Sequence, residues 1–241
     1  MFEGSLGRGA AIRPDWLGRM AFDQALRLQE QIVASHPWAG DRLLLLEHDP
    51  VYTTGRSGPI EHLPGGGGAV PVRRIGRGGD ATFHGPGQLV GYALVDLRAR
   101  TVDLHRYLRA LEQGVIEILG EYGLAGRRAP GFTGVWVGAP PAHPAASHER
   151  TGDPGRKIAA IGIGVRRGIS MHGFALNVST DLDAFAAIVP CGIQGVVTTS
   201  LAAEGVRPVP TVAEVARSAA RLVPRAIEAY LPGSSDPGTR A

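Results

Sequence analysis

From Asp15 onward, apolar residues fall at Leu17, Ala21, Ala25, Leu28 and Ile32. This is the spacing of one helix face and predicts a helix opening near Asp15. Residues 42–47 enclose four consecutive leucines and read as a buried strand, whereas 48–69 lack periodicity and read as loop. A strand is expected around 89–96. Asp103 is placed to cap a helix whose inner face would be Leu104, Leu108, Leu111, Val115, Ile118 and Tyr122. Residues 132–137 form another strand candidate. Residues 157–165 and 169–178 are strand-like runs joined at Arg166-Arg167-Gly168, a hairpin signal. The apolar stretch 182–189 is too short to assign and stops at Pro190. Thr211-Val212-Ala213-Glu214 is a capping box opening a last helix, which Pro224 is expected to kink or interrupt.

Strands and helices interleave without regular βα alternation. That pattern argues for an α/β fold built on a mixed sheet with helices packed against it, not a doubly wound one. No domain boundary is evident, so the whole chain, 1–241, is expected to be a single catalytic domain. Its flexible parts would be a loose lead-in at 1–14 and a tail at 231–241. Residues 139–155, rich in Pro, Ala and His, read as a surface insertion.

Composition narrows the function. Gly and Pro number 35 and 18 of 241 residues without any repeat, so they serve turns and at least one backbone-lined site. One cysteine excludes an internal disulfide framework and fits a reducing compartment. The N-terminus carries no signal-peptide pattern, and the longest apolar run, 184–189, is far too short to span a bilayer; a cytoplasmic, non-membrane protein is expected. The net charge is +3. Basic residues cluster at Arg73, Arg74 and Arg77, at Arg127 and Arg128, and at Arg166 and Arg167, either as solvated loop charges or as a surface for acidic partners. No nucleic-acid motif accompanies them. The histidines, His143 and His148 included, form no metal-ligand constellation, and no metal or cofactor is expected.

The candidate chemistry lies in three places. Arg77-Gly78-Gly79-Asp80-Ala81-Thr82-Phe83-His84-Gly85-Pro86-Gly87-Gln88 holds four glycines and a proline among twelve residues, a backbone arranged around a ligand. It lacks the following helix that a dinucleotide fingerprint needs, and no P-loop exists elsewhere. His84 reads better as an orienting group than as a base. Cys191, in Val189-Pro190-Cys191-Gly192-Ile193, is either a small buried hydrophobe or a nucleophile, and the flanking Pro and Gly favour a turn. Lys157 is the chain's only lysine among its 25 basic residues. Unlike arginine, lysine can shed its proton when desolvated. Strict alternation sets Lys157 on the face of Ile161 and Ile163, opposite Ala160, Gly162 and Gly164, although a strand's first residue can twist.

These segments, taken in order, resemble the lipoyl (octanoyl) transferases. The resemblance rests on Arg77-Gly78-Gly79-x-x-Thr82-Phe83-His84-x-x-Gly87-Gln88-x-x-x-Tyr92, Gly155-x-Lys157-Ile158-Ala159-x-Ile161-Gly162, His172-Gly173-Phe174-Ala175-Leu176-Asn177 and Pro190-Cys191-Gly192. Leu46-Glu47-His48-x-Pro50-Val51-Tyr52 agrees with it, and together the match spans roughly 15–230. The resemblance implies the catalytic fold of biotin and lipoate protein ligases. It further implies transfer of octanoyl from acyl carrier protein to a lysine on the lipoyl domain of a 2-oxoacid dehydrogenase E2 subunit or on the glycine cleavage H protein. Cys191 would be the acyl-thioester nucleophile, with Lys157 favouring its thiolate and moving protons. Arg77, Gly78, Gly79, Asp80, Ala81, Thr82, Phe83 and His84, with Ala160, Ile161 and Gly162 and with Gly173, Phe174 and Ala175, would line the acyl site. An ATP-dependent lipoate or octanoate ligase is the alternative on the same fold.

Overall fold

The leucine run becomes β2 (Arg42–His48), buried on both faces: Leu43 and Leu45 point into one apolar cluster, Leu44 and Leu46 into another. A strand with helices on either side shows this continuous apolar signature. The computed structural model describes residues 11–35, 37–56, 58–64, 69–100, 103–138, 155–189 and 196–231.

The main sheet joins β1 (Arg13–Met20), β2, β6 (Gln88–Leu94), β10 (Ile169–Asn177), β9 (Arg156–Arg166), β8 (Phe132–Val137) and β7 (Arg127–Ala129) in that spatial order. β1 runs parallel to β2, and every later pair along this path is antiparallel, so the sheet is mixed as expected. β11 (Val197–Thr198) adds in parallel to the start of β9. On one face lie α2 (Leu104–Glu121) and α3 (Val212–Tyr230), which pack Leu111, Val115, Ile118, Val215, Ala219 and Val223 over the sheet. α1 (Phe22–Ala34) covers part of the opposite face through Ala25 and Val33. A smaller sheet of β4 (Val72–Arg74), β3 (Val51–Thr54) and β5 (Thr82–His84) carries the glycine-rich segment.

Local signals hold where they are strong. The Asp103 carboxylate accepts from the His105 and Arg106 N–H groups, and Thr211 and Glu214 form the reciprocal capping box. The 166–168 hairpin turns with Arg167 and Gly168 both at positive φ. Other expectations change. Residues 13–20 are strand, not helix, and α1 opens only at Phe22, because pairing with β2 outweighs the helical spacing of Leu17 and Ala21. Ile12 is buried in the core, so the lead-in ends before it, and Leu231 is equally buried. The loop reading of 48–69 misses β3, whose Val-Tyr-Thr-Thr run is entirely buried. On α2, Leu104 is exposed and Tyr107, Ala110 and Leu119 complete the inner face. α3 runs through Pro224 uninterrupted. The 139–154 part of the expected insertion lies outside the described residues, as does 232–241.

Candidate active site

Between the glycine-rich segment and the β9–β10 hairpin lies a cleft with about 490 Å³ of empty space, open to solvent. Arg77, Gly79, Asp80, Thr82 and His84 line one wall; Ala160, Ile161 and Gly162 of β9 and Gly173, Phe174 and Ala175 of β10 line the other. Three of the expected residues are placed differently. Ala81 and Phe83 alternate away from Thr82 and His84 along β5 and pack with Tyr52, Phe185 and Ile188. Gly78 ties the loop to β9 by donating its N–H to Ile163 O at 2.8 Å. Phe22, Ile75, Val90, Tyr92 and His172 also line the cleft and lie outside the expected set.

Missing side chains keep this space open. A Cβ on Gly162 would stand 2.9 Å from Arg77 Cδ and 3.0 Å from Gly78 O. Gly162→Val is therefore expected to cost about 1–3 kcal/mol of overpacking. It should also raise the KM for the substrate the cleft takes by about tenfold, the lower part of the factor such an energy implies. Thermal unfolding and steady-state kinetics check both.

Lys157 reaches the cleft face through a β-bulge. Val135 pairs with Ala159 but Trp136 with Lys157, leaving Ile158 as the extra residue. Ile158 and Ala159 both enter the helix-side core, which turns Lys157 to the side of Ala160. Strict alternation fails here for that reason. Lys157 is 5% exposed, its Nζ donates to Thr133 O at 3.0 Å, and it stands 5.1 Å from the centroid of the buried Trp136 ring. Gly134 leaves room for it, since a Cβ there would come within 2.9 Å of Lys157 Cε. A small pocket holds Lys157 with Gln88, Asn177 and Thr198, and shares Thr82, Ala160 and Ala175 with the main cleft. Lys157 thus borders a small pocket that adjoins the cleft across Thr82, Ala160 and Ala175.

Beneath the cleft runs a chain of buried polar groups. Arg77 donates to Thr53 Oγ1 (2.9 Å) and Thr53 O (3.1 Å), and the Thr53 hydroxyl lies 3.3 Å from His84 Nε2. His84 Nδ1–H donates to Gln88 Oε1 at 2.8 Å. Gln88 Nε2 donates to Asn177 Oδ1, and Asn177 Nδ2 donates to Thr199 O, both at 2.9 Å. Thr199 N–H closes the series on Lys157 O. Burial first, then the neighbouring His48, hold the pKa of His84 down to about 3. A second histidine cluster adjoins it. His48 Nδ1–H donates to Met20 O, so its Nε2 accepts from Tyr92 OH at 2.7 Å. His172 meets the Tyr92 ring edge-on, 6.1 Å between centroids. Burial holds the pKa of both His48 and His172 down to about 4, with the Arg77 charge adding to the effect on His172. His172 takes φ = 62° in mid-strand and donates its N–H to Gln29 Oε1 at 2.9 Å. Such a left-handed residue in a strand costs energy and marks functional sites.

Of the basic clusters, Arg77 is buried at the cleft, while Arg73 pairs with Asp23, Arg128 with Glu112 and Arg166 with Glu30. Cys191 lies outside the described residues. Its described flanks both border the Lys157 pocket: Phe185 lines it from one side and Thr198 from the other. Among the described residues no group of three or more His, Cys, Asp or Glu is placed to hold a metal ion, and no helix is long and apolar enough to cross a membrane.

Comparison with known proteins identifies the family. The family described as the lipoyl protein ligase A/B catalytic domain matches residues 22–221. A Geobacter metallireducens protein named octanoyltransferase is 47% identical over 90% of this chain and 93% of its own length. One of the same name from Gloeobacter violaceus is 43% identical over 94% and 97%. Among solved structures, lipoate-protein ligase A bound with ATP superposes with a TM-score of 0.66 at 18% identity, covering 91% of this chain and 85% of that one. Biotin protein ligase from Aquifex aeolicus in complex with biotin and ATP gives 0.52 at 13%, covering 90% and 71%. These two share the fold, and the extended sequence match decides the membership: the chain belongs to the lipoyl protein ligase A/B catalytic domain family.

Proposed function

We propose that this chain is an octanoyltransferase that moves an octanoyl group from acyl carrier protein to the lysine of a lipoyl domain through a thioester on Cys191. The observation that carries this reading is a glycine-walled cleft adjoining the Lys157 pocket, in a chain nearly half identical to octanoyltransferases along most of its length. The apolar part of the cleft, with Phe22, Ile75, Val90 and Phe174, suits an alkyl chain. In the first step the Cys191 thiolate attacks the donor carbonyl, a new C–S bond forms, the donor's C–S bond breaks, and the pantetheine sulfur leaves with a proton given up by the Lys157 ammonium, which becomes neutral. One thioester replaces another, so ATP has no part in it. In the second step the acceptor amine attacks the Cys191 thioester, the C–S bond breaks and an amide forms. A free lysine amine, whose ordinary pKa is about 10.4, must lose a proton to do so, and Lys157 is the group assigned to take it. The acceptors would be lipoyl domains of 2-oxoacid dehydrogenase E2 subunits and the glycine cleavage H protein, and the compartment the cytoplasm.

The test is intact-protein mass spectrometry after incubation with octanoyl-acyl carrier protein and no ATP, followed by peptide mapping. A single hydroxylamine-labile octanoyl adduct on Cys191 is expected. No adduct, with acyl transfer from free octanoate only once ATP is added, would replace this reading with the ATP-dependent ligase.

A further inference from the structure

His62 and Asp80 form a pair that the chemistry above does not use. The Asp80 side chain lines the cleft; its Oδ1 accepts from the Ala81 N–H at 2.7 Å and its Oδ2 accepts from His62 Nδ1–H at 2.6 Å. The backbone of residue 58 is drawn close as well, since a Cβ on Gly58 would stand 2.7 Å from Asp80 Oδ1. On its other side, His62 accepts through its carbonyl from the Val189 N–H at 3.1 Å. Val189 is the last described residue before the segment that carries Cys191. The short helical turn leading to it, Asp183–Ala187, is docked independently: Tyr52 OH donates to Ala184 O at 3.0 Å, and Phe185 meets Phe83 edge-on at 5.7 Å. The turn is therefore held without His62. What His62 adds is a link from the backbone at Val189 to a carboxylate in the cleft wall.

We propose that the His62–Asp80 pair is a positioning device that ties the glycine-rich wall of the cleft to the backbone at Val189, two residues before Cys191, and that acylation of Cys191 depends on this tie. The inference rests on the reading of Cys191 as nucleophile. Stability is not the reason for the pair. The two side chains are 26% and 15% exposed, and such partly solvated side-chain pairs contribute little to folding. Geometry is far more sensitive, because a displacement of about 1 Å at a reacting group can cost about 100-fold in rate.

The experiment follows octanoylation of Cys191 in a single turnover by rapid quench and intact mass, with octanoyl-acyl carrier protein as donor. His62→Ala and Asp80→Ala are each expected to slow acylation by about 10- to 100-fold. For His62→Ala, whose side chain is not part of the cleft lining, the steady-state donor KM should change by less than about threefold, since a positioning defect falls on kcat. The double variant should be no slower than either single one, as residues acting as a unit are non-additive. His62→Gln, which keeps a side-chain donor, should recover most of the rate. Val189→Pro, which removes the N–H that His62 O accepts, should reproduce the defect without touching the pair. Acylation within twofold of wild type, additive losses, or a rate that falls only in step with melting temperature would overturn the proposal. A wild-type protein that forms no adduct would overturn the nucleophile reading and this inference with it, whereas a wild-type adduct with unslowed variants would overturn this inference alone.

Discussion

Replacing Lys157 with arginine is expected to slow octanoyl transfer to the acceptor lysine by about 100- to 10,000-fold, the usual contribution of a positioned proton acceptor. The acyl-enzyme should accumulate instead of turning over. Arginine keeps the positive charge that favours a neighbouring thiolate but does not release its proton in proteins. Its planar head must also fit where Lys157 Nζ bonds Thr133 O beside the Trp136 ring. Lys157→Met separates charge from proton transfer, because it keeps the length of the stem and loses both, so acylation itself should slow. Cys191→Ser should leave no hydroxylamine-labile adduct at all. Time courses of intact mass with donor alone, then with an acceptor lipoyl domain, distinguish the three variants. Wild-type turnover by Lys157→Arg would reduce Lys157 to an electrostatic neighbour, and wild-type turnover by Cys191→Ser would remove the nucleophile from the scheme.

The position of Lys157 also marks where the sequence stops being legible. β8, the β9–β10 hairpin, α2 and α3 follow from periodicity and caps, because Asp103, Thr211 and Glu214 act within one turn of themselves. β1 is hidden because Leu17 and Ala21 continue the helical spacing of α1, and only pairing with β2, about 29 residues away, decides for strand. The bulge at Ile158 is set by the register against β8, which no single-strand pattern contains. The acyl wall reads as a contiguous run from Arg77 to His84, yet β5 is a strand, so Ala81 and Phe83 pass to its other side. The deepest omission is the group of His48, Tyr92 and His172. They lie far apart in sequence and meet because β2, β6 and β10 are neighbours in the sheet. Tyr92 and His172 stand inside recognisable motifs, but nothing in a strand pattern announces a residue at positive φ or a buried neutral imidazole.

The three buried histidines, His48, His84 and His172, make folding strongly acid-sensitive. His48 and His172 hold pKa values of about 4 and His84 about 3 in the folded chain, against 6.5 for the free side chain. Burial depresses all three, so they are neutral in the native state and become charged on unfolding at mildly acidic pH. The sign follows from linkage: below pH 6.5 the unfolded chain binds more protons than the native one, so stability falls as pH falls. It is fully present above about pH 6.5 and is lost down to the folded pKa values. At its steepest, between about pH 6 and 4.5, three protons correspond to a slope of about 4 kcal/mol per pH unit. Against a total of about 5–15 kcal/mol, this slope is enough to unfold a chain at the lower end of that range near pH 5. Urea titrations at pH 7, 6 and 5 measure the slope directly. His172→Asn should flatten it by about one third, because asparagine tolerates the φ of 62° and carries no titrating proton. A wild-type slope below one proton per pH unit, or imidazole resonances of the native protein titrating near 6.5, would mean that the cluster is hydrated and that the polar chain beneath the cleft is not sealed from solvent.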